Sequence, residues 1–110
     1  MPNLIVNIWL EEESTAGLIV RVFPDPVRVS AYRGESVVWQ CAEGSAKIVF
    51  PGGGPFRSPQ FDVPHSGHVG SGLPLRGRPG EHHKYNVTVT RPGDKRTYEL
   101  DPEVIVDNGG

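Results

Sequence analysis

"KYNVTVTRPGDKRTYEL", residues 84–100, decides the fold. Its first half alternates, with Tyr85, Val87 and Val89 on one side and Asn86, Thr88 and Thr90 on the other. A period of two sends successive side chains to opposite faces of an extended chain, so this run predicts a strand with one buried face. "RPGDK" then supplies the proline, glycine and aspartate of a tight turn. "RTYEL" (96–100) returns as the second strand of a hairpin.

The same pattern recurs outward from this hairpin. In "VRVSAY" (27–32), Val27, Val29 and Ala31 share one face, and "RGE" turns the chain into "SVVWQCA" (36–42), where Val37, Trp39 and Cys41 share another. "NLIVNIWL" (3–10), "GLIVRVF" (17–23), "AKIVF" (46–50) and "EVIVD" (103–107) are further β-rich runs, and no window sustains a helical period. "EEES" (11–14) reads as a solvated turn. Short alternating runs separated by frequent turn residues predict an all-β chain, an antiparallel Greek-key β-sandwich or barrel formed by one domain over 1–110. Trp39 and Cys41 are expected in its core, and Trp9 as a partly exposed anchor on the first strand.

Composition narrows the function classes. The chain has 110 residues, a formal net charge of -2 and 22% charged residues, a balance that points to neither nucleic acid nor a membrane surface as partner. No apolar run approaches the roughly 20 residues of a membrane span. "MPNLIVNIWLEEE" lacks the basic start and cleavage site of a signal peptide, and Cys41 is the single cysteine, which allows no internal disulfide. A cytoplasmic, reduced setting is expected, and a periplasmic or secreted one only if a leader has been removed.

The segment 51–83 breaks the pattern. Fourteen of the thirty residues in "PGGGPFRSPQFDVPHSGHVGSGLPLRGRPG" (51–80) are glycine or proline, which predicts one long loop. Phe56, Phe61, Val63 and Leu75 are spaced to pin it onto the sandwich, and "QFDV" suits a brief strand. "PGGGP" (51–55) lacks the Lys-Ser/Thr of a phosphate loop, so its glycines are expected to make a tight bend. Long loops on rigid scaffolds often carry function. Phe56, Arg57, Phe61, Arg76 and Arg78 are its candidate contact residues, because aromatic rings and guanidinium groups are enriched where proteins meet.

Two segments resemble the cupredoxins. "VRVSAYRGESVVWQCAEGSAKIVF" (27–50) is similar to the second to fourth strands of that family, and "HHKYNVTVTRPGDKRTYELDPEVIVDN" (82–108) to its last two. The resemblance implies a blue-copper site with a His at the start of the fourth strand and Cys, His and Met around the last loop. Here Ala46 and Val87 stand at two of those positions, the last loop holds neither His nor Met, and Cys41 lies on another strand. The expectation is a copper-free, cupredoxin-like domain without a cofactor.

All four histidines lie between 65 and 83. His65, His68, His82 and His83, with Glu81 or Asp62 to complete the set, form the alternative reading, a Zn or Cu(II) site. A glycine-rich loop offers such ligands little rigid support. Ser66, His68 and Asp62 contain the residue types of a nucleophilic triad, but nothing around them resembles a nucleophile elbow. The expected role is therefore a non-enzymatic binding or accessory module whose partner is another protein or a neighbouring domain.

Overall fold

The computed structural model describes residues 3–15, 17–42, 44–75, 82–93 and 96–107. The described chain is all β, with eleven strands and no helix. The first sheet contains β1 (Asn3–Glu13), β2 (Gly17–Phe23), β4 (Ser36–Cys41) and β7 (His68–Gly70), in the order β2-β1-β4-β7. The second contains β5 (Ser45–Val49), β6 (Gln60–Val63), β9 (Asn86–Thr90) and β10 (Thr97–Leu100), in the order β10-β9-β5-β6. A third joins β3 (Val27–Ser30), β11 (Glu103–Asp107) and β8 (His82–Lys84), in the order β3-β11-β8.

The hairpin that opened the sequence reading forms as expected, with Thr90 opposite Thr97 and Val87 opposite Leu100. The strand itself breaks at Tyr85, whose N–H donates to the Pro102 carbonyl at 3.0 Å. Two sheets are mixed, not wholly antiparallel. β1 runs parallel to β4, and β3 runs parallel to β11, and the sheets do not close into a barrel. Alternation reports which face of a strand is buried but is blind to the direction of its neighbour, which is why the parallel pairs were not foreseen.

"EEES" is likewise corrected. Glu11, Glu12 and Glu13 continue β1 and pair with Ile19, Leu18 and Gly17. Arg21 Nε donates to Glu11 Oε2 at 2.8 Å across this ribbon, a half-exposed pair worth at most about 1 kcal/mol. Tyr32, expected at the end of a strand, lies exposed in the turn after β3.

The core follows the alternation closely. Val6, Ile8 and Leu10 point inward from β1, Val37, Trp39 and Cys41 from β4, and Val87 and Val89 from β9. Val104, Ile105 and Val106 of β11 are all buried, the continuous apolar run of a strand covered on both faces. Trp39 sits at the centre of an aromatic cluster, with ring centroids 5.2 Å from Phe61, 5.7 Å from Tyr85, 6.0 Å from Phe56 and 6.1 Å from Phe50.

Trp39 Nε1 donates to the Tyr85 hydroxyl at 3.3 Å, giving the indole a partner inside the core. Burial pushes the Tyr85 phenol well above its ordinary value, with the Trp39 hydrogen bond opposing and the charge of Asp25 adding a little. A raised phenol favours the fold fully below the unfolded-state value near 10, and that contribution is lost as the pH climbs from there toward the folded-state value. Urea unfolding from about pH 9 to pH 12 is expected to show this, because Tyr85→Phe should remove about 1.4 kcal/mol per pH unit from the alkaline slope. At neutral pH the same variant should lose about 1–3 kcal/mol, since the indole N–H is left unpaired. An unchanged slope would show that the phenol ionises as easily in the fold as in the unfolded chain.

Candidate functional site

The segment after β5 is tied to the rest of the chain at several points. Phe50 N donates to the Pro59 carbonyl at 2.7 Å, and Gly53 N to the Phe50 carbonyl at 3.1 Å. Gly52, Gly53 and Gly54 all have positive φ, of 84°, 106° and 68°, so "PGGGP" makes the tight bend its glycines predict. The bend delivers Phe56 into the core, edge-on to Trp39 and 5.7 Å from Phe50. Phe61 follows on β6, opposite Ile48, so "QFDV" is the strand expected of it.

These anchors redistribute the candidate contact residues. Phe56 and Phe61 are buried, so they hold the segment down and offer no surface to a partner. Apolar rings beside an indole are worth more in the core than in water. Arg57, the neighbour of Phe56, is exposed. Arg76 and Arg78 lie outside the described residues. The segment is also less of a loop than its composition suggests, since β6, β7 and β8 all lie within 51–84.

Farther along, Ser71 locks to β4. Val37 N donates to Ser71 Oγ at 2.9 Å, and Ser71 N donates to the Val37 carbonyl at 2.7 Å. Leu75 N donates to the Pro55 carbonyl at 2.7 Å, tying the two ends of this stretch together. Leu75 was expected to pin the loop by its side chain, yet that side chain is 51% exposed and the backbone makes the tie. Leu73 is 49% exposed beside it. Arg57, Leu73, Pro74 and Leu75, with Ser71 and Gly72 behind them, line a cleft of about 430 Å³. The "GLPL" (72–75) run is the signal in the sequence, because leucines set among glycine and proline have little regular structure to bury them.

The histidines divide between sheets. His68 lies on β7 in the first sheet, with His65 in the turn before it, whereas His82 and His83 lie on β8 in the third. His82 Nδ1 is hydrogen-bonded to Glu103 Oε2 at 2.7 Å. Among the described residues, no three His, Cys, Asp or Glu side chains are grouped to hold a metal ion. Glu81 lies outside those residues, and Asp62 stands on β6 opposite Lys47. Nor is Ser66 set against His68 and Asp62, for its hydroxyl donates to the Ala42 carbonyl at 3.2 Å.

Ala46 and Val87, which the cupredoxin resemblance puts at metal-ligand positions, lie on the adjacent strands β5 and β9. Ala46 pairs with Val89 and Ile48 with Val87, and all four are buried aliphatic residues.

No protein-family model and no curated protein matches this sequence. The chemistry of its surfaces is therefore what speaks to function. No helix among the described residues is long and apolar enough to cross a membrane.

Proposed function

We propose that this protein is a copper-free, cupredoxin-like binding module without catalytic activity, and that it meets a protein partner or a neighbouring domain through the 51–83 segment. The carrying observation is the anchored cleft in which half-exposed Leu73 and Leu75 stand beside the exposed Arg57. Interfaces gather their energy where an apolar pocket is rimmed by a guanidinium group, and a segment already held in place loses little entropy on binding. Hydrocarbon at Ala46 and Val87 supports the copper-free part of the reading.

A photo-crosslinking side chain placed at Leu73, with a second placed at Glu13 for comparison, should trap a defined partner from the first position only. Arg57→Glu combined with Leu73→Asp should then weaken that partner's affinity at least about tenfold, with the thermal melt preserved because both side chains face water. Equal crosslinking from both positions, or an affinity unmoved by the double variant, would remove the cleft as the contact surface.

A further inference from the structure

On the outer face of the first sheet, a polar row crosses three strands: Asn7 on β1 is level with Gln40 on β4, and Gln40 is level with His68 on β7. Trp9 stands two residues along β1 on the same face, half-buried between the inward-pointing Ile8 and Leu10. The turn carrying Ser66 and Gly67 closes one end. It is stapled to the end of β4, where Cys41 N donates to the Gly67 carbonyl at 3.3 Å and Ser66 Oγ donates to the Ala42 carbonyl at 3.2 Å. Together these residues line a cleft of about 290 Å³, near the lower limit of small-molecule pockets. It shares no lining residue with the Arg57 cleft.

The chemistry of this lining is selective. It contains an indole, two amides, an imidazole and a hydroxyl, and neither a carboxylate nor a lysine or arginine. Arg21, opposite Trp9 on β2, is held by Glu11. Among these lining residues a charged ligand finds no carboxylate, lysine or arginine to answer its charge, which favours a neutral ligand. Gln40 Nε2 donates to Asn7 Oδ1 at 2.6 Å. That bond leaves the Asn7 amide nitrogen to donate and the Gln40 carbonyl oxygen to accept, on adjacent strands.

A donor and an acceptor on adjacent strands, in a cleft that an indole also lines, suit a pyranose ring, whose hydroxyls give and take hydrogen bonds and whose C–H face is apolar. We propose that this cleft binds a neutral saccharide, with Trp9 as the stacking surface and Asn7, Gln40 and His68 as the groups that read its hydroxyls. All four residues stand on strands, which hold their backbones in register as a preorganised site requires.

The test uses the whole chain, five neutral probes (the hexasaccharides of cellulose, xylan, mannan, starch and chitin) and adenosine as an uncharged comparison that is not a polysaccharide fragment. Amide-proton NMR should show saturable shifts at Gln40 and Gly67 with at least one of them, insensitive to added salt because no charge is neutralised. Trp9→Ala and Gln40→Ala should each weaken binding at least about tenfold, the scale of one lost aromatic or hydrogen-bonding contact. Gln40 is exposed, so its variant keeps the fold and reports on binding even if Trp9→Ala is destabilised. Arg57→Glu should leave saccharide binding unchanged, separating this site from the protein-contact cleft. No shift with any of the five sugars, a shift that survives Gln40→Ala, or a response confined to adenosine would overturn the proposal.

Discussion

Trp39→Ala is expected to cost about 3–5 kcal/mol, a large share of the roughly 5–15 kcal/mol that holds a domain of this size together. The indole is fully buried and is in ring contact with Phe50, Phe56, Phe61 and Tyr85. Alanine loses the transfer energy of the ring and leaves a cavity that four other rings must collapse to fill. The Tyr85 hydroxyl loses its donor at the same time. Urea unfolding should show a lower midpoint with little change in slope, the signature of lost stability in an otherwise unchanged transition.

This variant should also loosen the 51–59 stretch, because Phe56 is its anchor and Trp39 is what Phe56 packs on. Limited proteolysis is expected to cut there first, since local opening is easiest where buried contacts are fewest. Trp39→Phe, which keeps a ring, should recover much of the stability but leave Tyr85 without its donor. A loss under about 1 kcal/mol in Trp39→Ala would mean that the four surrounding rings do not depend on their centre.

Gly54→Ala should lose about 2–5 kcal/mol, the left-handed penalty and the overpacking cost together. A β-carbon at Gly54 lies 2.5 Å from Phe50 Cγ, and the backbone there holds φ at +68°. The Phe50 ring cannot step aside, since it is buried 5.1 Å from Tyr85 and 5.7 Å from Phe56. Gly52→Ala is the matched comparison, with φ +84° but nothing within 4 Å of the added carbon. It should lose only the backbone penalty, about 1–2 kcal/mol. Thermal or urea unfolding of the two variants side by side separates the terms, and equal losses would show that Phe50 does yield. Because Gly54 sits at the bend that delivers Phe56 and Arg57, its alanine variant should also weaken the partner binding proposed for the Arg57 cleft.

The Trp39 cluster was partly legible in advance. Alternation alone puts Val37, Trp39 and Cys41 on one face and Tyr85, Val87 and Val89 on another, and all six are buried. That the two faces meet, with the Tyr85 hydroxyl receiving the Trp39 indole, involves residues 46 positions apart and has no local trace. The candidate contact residues divide in the same way. Phe56 is inward and its neighbour Arg57 outward, and which of the two would be buried depended on the pocket that Trp39, Phe50 and Phe61 make. The histidines were close in sequence but went to different sheets.

The row of Asn7, Gln40 and His68 was the least readable of all. Each is an ordinary polar residue on an alternating strand, and only the register of β1 with β4 and of β4 with β7 lines them up.

Taken alone, the order of residues determined that this chain forms strands, where several of its turns fall and which side of most strands is apolar, because those properties depend on neighbours one to four positions away. Strand direction, the parallel pairings of β1 with β4 and β3 with β11, and the surfaces left facing water were decided only in three dimensions. The backbone hydrogen bonds that set direction and register are the same for every residue type, so side-chain pattern carries no record of which distant strand completes them.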